Sequence, residues 1–314
     1  MSVVTLDSID GLLTRSAVTI GMFDGVHLGH RALLNALMEE AKRIEGQSVA
    51  LTFDTHPAQT VRPEHAPKFI CTLEQRIAIL EATGADVIVV AKFDEALAGM
   101  SPREFFEQVL LDRLKAAVVV VGPDFRFGKG RVGDFAKLAQ LGVEHGSAAV
   151  AIMPVIVDDA PVSSTRIRTL LRHGDVTNAA RLLGRLFVLE GAVVKGDALG
   201  RRLGFPTANL SVPPEQILPA DGVYSGDVAV RGEMYPTLIS IGTRPTIGGA
   251  SLVIEAHIVG FDGDIYGERI RLGFRSWLRG QKKFANLDQL VGQMKLDLEA
   301  VRATPKTDSS TLAH

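Results

Sequence analysis

The stretch AVTIGMFDGVHLGHRALLNALMEE, residues 17–40, decides the fold of the first half of the chain. It passes from a β-branched apolar run, through a turn rich in glycine, into a segment whose apolar residues recur at helical spacing. A strand feeding directly into a helix is half of a βα unit. The turn between them carries His27 and His30, which a buried strand-to-helix junction has little structural use for.

Reading outward, the same texture repeats. Apolar runs occur at 48–53, 86–93, 117–122 and 148–157. Helical spacing follows in RALLNALMEEAKRI, LEQRIAILEAT, PREFFEQVLLDRL, FAKLAQLGVEHG and STRIRTLLRHG. Strands alternating with helices predict a parallel sheet covered on both faces, with ligands at the carboxyl ends of its strands. DVTNAARLLG closes this part as a further helix, giving an α/β domain over 1–185.

Beyond Leu186 the runs become short, partly alternating and separated by Gly- and Pro-rich turns, the pattern of an antiparallel barrel or sandwich over 186–303. A closing helix, NLDQLVGQMKLDLEAV, sets Leu287, Leu290, Val291, Met294, Leu298 and Val301 on one face. Residues 304–314 read as a disordered tail.

Composition narrows the function classes. The chain has 314 residues, 46 % hydrophobic and 22 % charged, with a formal net charge of −2, so no overall field steers it to nucleic acid or membrane. The single cysteine, Cys71, excludes an internal disulfide and suits a reducing cytoplasm. The N-terminal segment lacks the basic-then-apolar order of a signal peptide, and the longest apolar run is too short to span a bilayer. A cytoplasmic protein is the expectation, as a monomer or weak homo-oligomer with small-molecule partners and no nucleic acid.

In the turn, Gly21, Gly25 and Gly29 allow close backbone approach, and a helix starting near Leu28 would aim its N–H groups and positive dipole end at an anion. His27 and His30, three apart, face one side of that first turn and add donors. Phosphoryl or nucleotidyl transfer asks for this, because charge growing on the transferred group must be stabilised in place. Taken alone, HxxH is as well read as a pair of helix caps, and a zinc pair would favour i,i+4 spacing. A second donor set, Ser163, Ser164, Thr165 and Arg166 with Arg168, opens the helix after the last apolar run of the sheet. GPDFRFGKG at 122–130 fails the P-loop spacing.

In the second half, GDALGRRLGFPTANL offers a glycine loop to phosphates through Gly196, Gly200 and Gly204, with Arg201 beside it. Thr207 and Asn209 point to one side of an extended segment and present neutral oxygens that suit Mg²⁺. The bland alternative is a surface turn and an edge strand. Glu255, in LVIEAHIVGF, sits among apolar neighbours with His257 on the same face. A carboxylate there is either salt-bridged or working as a general base.

GMFDGVHLGH, FDTHP, GPDFRFGKGRVGD and SSTRIR, in this order, resemble the nucleotidylyltransferase module of the bacterial bifunctional riboflavin kinase/FMN adenylyltransferase family. GDALGRRLGFPTAN, DGVYSG, ISIGTRPTIGG, IEAHI, FDGDIYGE and KKFANLDQL resemble its riboflavin kinase module. The resemblance implies ATP-dependent phosphorylation of riboflavin to FMN by a six-stranded barrel, then adenylylation of FMN to FAD with release of pyrophosphate. It implies that His27 and His30 stabilise the ATP α-phosphate, with Gly21, Phe23, Gly29 and the SSTR segment on the nucleotide. It places His56, Asp124, Phe125 and Phe127 near the flavin, although core packing is an equal alternative for either phenylalanine. In the barrel, Gly196, Gly200, Arg201, Gly204 and Pro206 would hold ATP, Thr207 and Asn209 would ligate Mg²⁺, and Glu255 would be the base. Met22 stands where the family commonly has Asn, and FDTHP replaces FEPHP, so neither Met22 nor Asp54 receives a role. Two rivals remain at this point: a chain with one inactive half, and a flavin-binding regulator that turns nothing over.

Overall fold

The structure is a computed structural model that describes residues 2–61, 63–196, 200, 203–246 and 249–303. Arg201 and the expected tail at 304–314 lie outside the described residues. Contacts divide the chain into two compact units, Met1–Lys68 with Leu73–Ser163, and Phe69–Thr72 with Ser164–His314.

The first unit is built on strands β1 (Ser2–Thr5), β2 (Ser16–Ile20), β3 (Gln47–Phe53), β4 (Val87–Ala91), β5 (Ala116–Val121) and β6 (Ala148–Ala151). They form one sheet in the order β1-β4-β3-β2-β5-β6, every pair parallel. Both faces are buried, as the near-continuous Val, Ile and Ala runs require. Val18, Ile20, Val49, Leu51, Val119 and Val121 pack on one face with Phe105, Phe106 and Leu110. Ala17, Ala50, Ile88, Val118 and Val120 pack on the other with Leu33, Leu34 and Leu37. The last three come from helix α1 (Leu28–Arg43), whose apolar stripe is what the opening stretch encodes.

Strand order reverses at β2, which has β3 on one side and β5 on the other. This is the switch point at which open α/β sheets bind ligands. The sequence reading missed β1, and its single run over 148–157 ends at Ala151 as a strand. Ile156–Val157 (β7) instead pairs with Ala160–Pro161 (β8) in a small hairpin. The segment PREFFEQVLLDRL starts as an α-helix at Pro102–Glu104, with a capping box between Ser101 and Glu104. It continues as a π-helix over Phe105–Arg113, so that the Leu114 N–H reaches back to the Val109 carbonyl.

In the second unit, β9 (Phe187–Val194), β10 (Ala208–Ser211), β11 (Gly222–Val230), β12 (Glu233–Thr246), β13 (Gly249–Ile258) and β14 (Arg269–Arg279) close into a barrel. Its order is β10-β13-β12-β11-β14-β9, and all neighbours are antiparallel. A barrel, not a sandwich, is the outcome, and short β10 is the strand that joins its two sides. Helices Ser164–Arg172 and Val176–Leu183 group with this unit, because the latter packs on β14 and β9. The expected domain boundary near 185 marks where the sequence texture changes, whereas the compact units part between Ser163 and Ser164. The closing helix, Leu287–Ala303, buries Leu298 and Val301 beside Phe205, Val223 and Leu238, with Val291 and Met294 partly covered. Leu287 is exposed, which corrects its expected place on the packed face: it opens the helix, before the stripe reaches the barrel.

Candidate functional sites

The loop leaving β2 is wound tightly. Phe23 and Val26 both hold left-handed backbone, with φ of 49° and 35°, and Gly25 has φ of 79°. Positive φ is a genuine outlier for a β-branched residue and costs on the order of 1–3 kcal/mol. The turn persists because the side chains of Phe23 and Val26 are fully buried and the Val26 N–H donates to the Phe23 carbonyl at 2.9 Å. Phe23 was expected among the nucleotide contacts. Its ring is interior, which leaves only its backbone to face a ligand.

His27 caps α1: its Nδ1 accepts from the His30 N–H at 3.3 Å. Nδ1 serving as acceptor leaves the proton of a neutral ring on Nε2, a donor. The two rings stack, with centroids 3.7 Å apart and planes 15° from parallel. The Phe23 ring meets the His30 ring edge-on at 5.2 Å. Gly29 is required by this packing as much as by a ligand. A Cβ there would lie 3.2 Å from the His27 ring and 3.5 Å from the Val162 carbonyl oxygen. Ser163, next in the chain, ends the first unit, and Ser164, Thr165 and Arg166 open a helix of the second.

The loops after β3 and β5 leave the sheet at the same carboxyl edge as the histidine turn. Asp54 Oδ1 accepts from the N–H groups of Thr55 and Phe93, at 2.6 and 3.0 Å, so this departure from the family pattern ties the β3 and β4 exits together. His56 Nδ1 accepts from the Ala58 N–H at 3.0 Å, capping the short helix Pro57–Val61. After β5, Asp124 is exposed and Phe125 half-buried. Phe127 is buried in the core beside Phe105, and its ring lies under Phe125, centroids 5.4 Å apart and 15° from parallel. Phe127 thus packs in the core beneath Phe125, the packing alternative weighed for it, while Phe125 is the more open of the two rings.

In the barrel, residues alternate along β13: Ile254, Ala256 and Ile258 are buried, while Glu255 and His257 face outward and half-buried. Glu255 pairs across strands with Asn209 on one side and Ser240 on the other. The Thr207 hydroxyl donates to Glu255 Oε1 at 3.4 Å. His257 Nδ1 lies 2.8 Å from the Pro206 carbonyl oxygen, and since a carbonyl only accepts, Nδ1–H donates. The imidazole thus fixes the segment that carries Thr207, a role the sequence reading did not give it. Gly196 is a cradle for Asn209, where a Cβ would come within 2.8 Å of the amide Oδ1. Gly200 accepts backbone N–H bonds from Leu203 and Phe205, and Gly204 completes that turn with φ of 85°.

Two cavities meet at Thr207. One, of about 580 Å³, is lined by Glu255, Leu238, Val223, Met294, Arg279 and Lys283, among others. The other, of about 350 Å³, is lined by Pro206, Phe261, Asp262, Asp264, Ile265 and Tyr266, among others. Arg279 holds the wall of the first: its Nε and Nη2 donate to Asp297 on the closing helix, at 3.1 and 2.7 Å.

Comparison with known proteins bears on both sites. Residues 10–166 match the FAD synthetase family and residues 183–304 the riboflavin kinase family. The bifunctional riboflavin kinase/FMN adenylyltransferase of Escherichia coli (strain K12) is 36 % identical over 89 % of this chain and 90 % of its own. That of Haemophilus influenzae is 35 % identical over 95 % and 97 %, and that of Bacillus subtilis (strain 168) 32 % over 92 % of each. A crystal structure described as a macrolide-efflux protein from Streptococcus pneumoniae superposes with a TM-score of 0.88 at 31 % identity, covering 96 % of this chain and 98 % of that one. Among the described residues no helix is long and apolar enough to cross a membrane. An N-terminal FAD synthetase region, a C-terminal riboflavin kinase region and relatives named for both activities, matched over 90 % or more of their length, lead to one statement: the chain belongs to the bifunctional riboflavin kinase/FMN adenylyltransferase family.

Proposed function

We propose that the barrel makes FMN at the junction of its two cavities and that the sheet unit makes FAD at the turn bearing His27 and His30. The observation that carries the first half is Thr207, which lines both cavities and hydrogen-bonds Glu255. Riboflavin fills the larger, mostly apolar-walled cavity, and ATP the smaller. The riboflavin 5′-hydroxyl attacks the γ-phosphorus, Glu255 accepts its proton, and the bond from that phosphorus to the bridging oxygen breaks to release ADP. Thr207 and Asn209 offer a hydroxyl and an amide oxygen, neutral hard donors that fit Mg²⁺, and the Asn209 amide is held in place by the Gly196 cradle. When bound at Thr207 and Asn209, Mg²⁺ neutralises phosphate charge as the γ-phosphoryl is transferred.

In the sheet unit, an FMN phosphate oxygen attacks the α-phosphorus of ATP, and the bond to the β-phosphate bridging oxygen breaks to release pyrophosphate. The His27 and His30 N–H donors and the N–H groups opening α1 stabilise the charge that grows on the α-phosphate. Within this unit Gly21, Gly29 and Ser163 serve the nucleotide, and His56, Asp124, Phe125 and Phe127 the flavin. A cytoplasmic setting, Mg²⁺ as the metal, and a monomeric or weakly associating chain without a nucleic-acid partner belong to the same reading.

Incubating the full chain with riboflavin, ATP and Mg²⁺ and separating the products tests it. FMN should appear first, then FAD, with ADP and pyrophosphate released in turn. Flavin bound without ATP consumption would favour a regulator and overturn the reading.

A further inference from the structure

Arg76 is only 1 % exposed, one of the largest fully buried side chains among the described residues. It sits on the buried face of helix Leu73–Glu81, in phase with Ile79 and Leu80. Its guanidinium does not reach solvent. Instead Nη1 donates to the Met22 carbonyl at 2.7 Å and Nη2 to the Phe53 carbonyl at 2.8 Å. Those carbonyls stand at the roots of two loops that leave the sheet side by side, one after β2 and one after β3. The Thr52 hydroxyl adds a second bond to the Met22 carbonyl at 3.2 Å.

Each carbonyl leads directly into a segment of the adenylylation site. Met22 precedes Phe23, whose left-handed backbone starts the strained turn and whose ring packs on His30. Phe53 precedes Asp54, which accepts from the Phe93 N–H, and His56 lies two residues further on. A planar fork of fixed geometry can hold two carbonyls at a set separation, which a single ammonium cannot do equally well. Burying a cation is costly, and an apolar side chain of similar volume would fill the same space with less penalty. Packing alone therefore does not call for arginine at this position.

The geometry points to Arg76 as a positioning residue for adenylyl transfer, one that locks the histidine turn to the FDTHP loop and touches no substrate itself. This inference rests on the roles proposed for His27 and His30. With the two loop roots held together, the His27 and His30 rings keep a fixed height over the sheet edge. When the clamp is released, the strained turn relaxes and the donors move. Misplacement of a catalytic group by about 1 Å is enough to cost roughly a hundredfold in rate.

The chain carries its own control, because riboflavin kinase activity belongs to the barrel. Arg76→Met and Arg76→Lys are made in the full chain. FAD formation is measured at saturating FMN and MgATP per folded molecule, beside FMN formation from riboflavin and the melting temperature. In R76M, FAD turnover is expected to fall roughly a hundredfold while kinase turnover stays within about twofold of the parent. R76K, which keeps the charge but not the fork, should recover part of the loss and remain about tenfold below the parent. FAD turnover within about twofold of the parent in folded R76M assigns Arg76 to packing and overturns the inference. Should R76M fail to fold, R76K decides: reduced FAD turnover with intact kinase supports the clamp, and unchanged FAD turnover overturns it. A parent chain that makes no FAD from FMN and ATP removes the reading on which the clamp stands, an outcome separate from the other two.

Discussion

The imidazoles of His27 and His30 stack with their centroids 3.7 Å apart, while Nδ1 of the first accepts the backbone N–H of the second at 3.3 Å. One side chain thus acts as helix cap and, through its remaining nitrogen, as a donor. The two duties separate by substitution. Asn caps a helix as well as any residue, so His27→Asn should melt close to the parent, whereas His27→Ala should lose about 1 kcal/mol. Both should reduce FAD formation by about 10²- to 10³-fold, the cost of losing one oxyanion donor. Full FAD turnover in H27N would show that the ring matters only as a cap.

Thr207, just before β10, donates its hydroxyl to Glu255 Oε1 at 3.4 Å. Thr207→Val keeps the shape and removes the oxygen. FMN formation should fall at least about tenfold, and the Mg²⁺ concentration for half-maximal rate should rise, since a hydroxyl ligand is gone. A kinase titration with Mg²⁺ measures both; an unchanged Mg²⁺ midpoint would remove Thr207 from the metal site.

Arg279 and Asp297 join the barrel to the closing helix by a buried two-point bridge, with Gln293 also donating to Asp297 at 2.9 Å. Removing one partner leaves a buried charge, so Asp297→Ala should destabilise the second unit by about 3–5 kcal/mol. Trp277, the chain's single tryptophan, lies two residues before Arg279 on β14 and reports unfolding of this unit by fluorescence in urea. The same variant should weaken riboflavin binding, because Arg279 and Asp297 both line the larger cavity.

Asp86 adjoins β4 and accepts from the Ser48 N–H and hydroxyl at 2.9 and 2.6 Å. Desolvation pushes its carboxyl pKa upward, but the two Ser48 hydrogen bonds together with the attraction of the N-terminal charge bring it below the ordinary carboxylate value. A depressed folded-state pKa contributes stability that is present above the unfolded value, near 4, and lost as pH falls through the folded one. Asp86→Asn should therefore be less stable than the parent at neutral pH, with the difference closing as pH falls below the ordinary carboxylate range. Urea midpoints across that range check it, and a difference independent of pH would contradict it.

Much of the fold was legible because its signals are long. The β-branched runs at 48–53 and 117–122 and the leucine stripe of α1 match the structure closely, since a buried parallel strand and an amphipathic helix leave little room for other residue types. The elements that escaped were short or silent in periodicity. Strand β1 has four residues at the edge of the sheet, half of them exposed. Nothing in FFEQVLLDR distinguishes π from α winding, because the same side chains are buried in either. Leu287 was misplaced because a heptad-like stripe does not reveal where the partner surface ends. Of the candidate site residues, His27, His30 and Glu255 stood out as chemistry out of place in apolar surroundings, and Thr207 and Asn209 as neutral oxygens beside a glycine loop. Arg76 carried the same signal, a charge in phase with Ile79 and Leu80, but in LEQRIAILEAT it passed for an ordinary helical arginine. For Phe127 the residues alone left two readings open, because an aromatic in a glycine-rich loop looks the same whether it faces a flavin or a core.

The division of labour between the two units is tested most directly by one product analysis on two variants of the full chain. Supplied with riboflavin, ATP and Mg²⁺, the double variant His27→Ala/His30→Ala should accumulate FMN and make no FAD. Glu255→Gln should make no FMN from riboflavin, yet convert supplied FMN to FAD at the parent rate. FAD made at the parent rate by the double histidine variant, or FMN made at the parent rate by E255Q, would contradict the assignment.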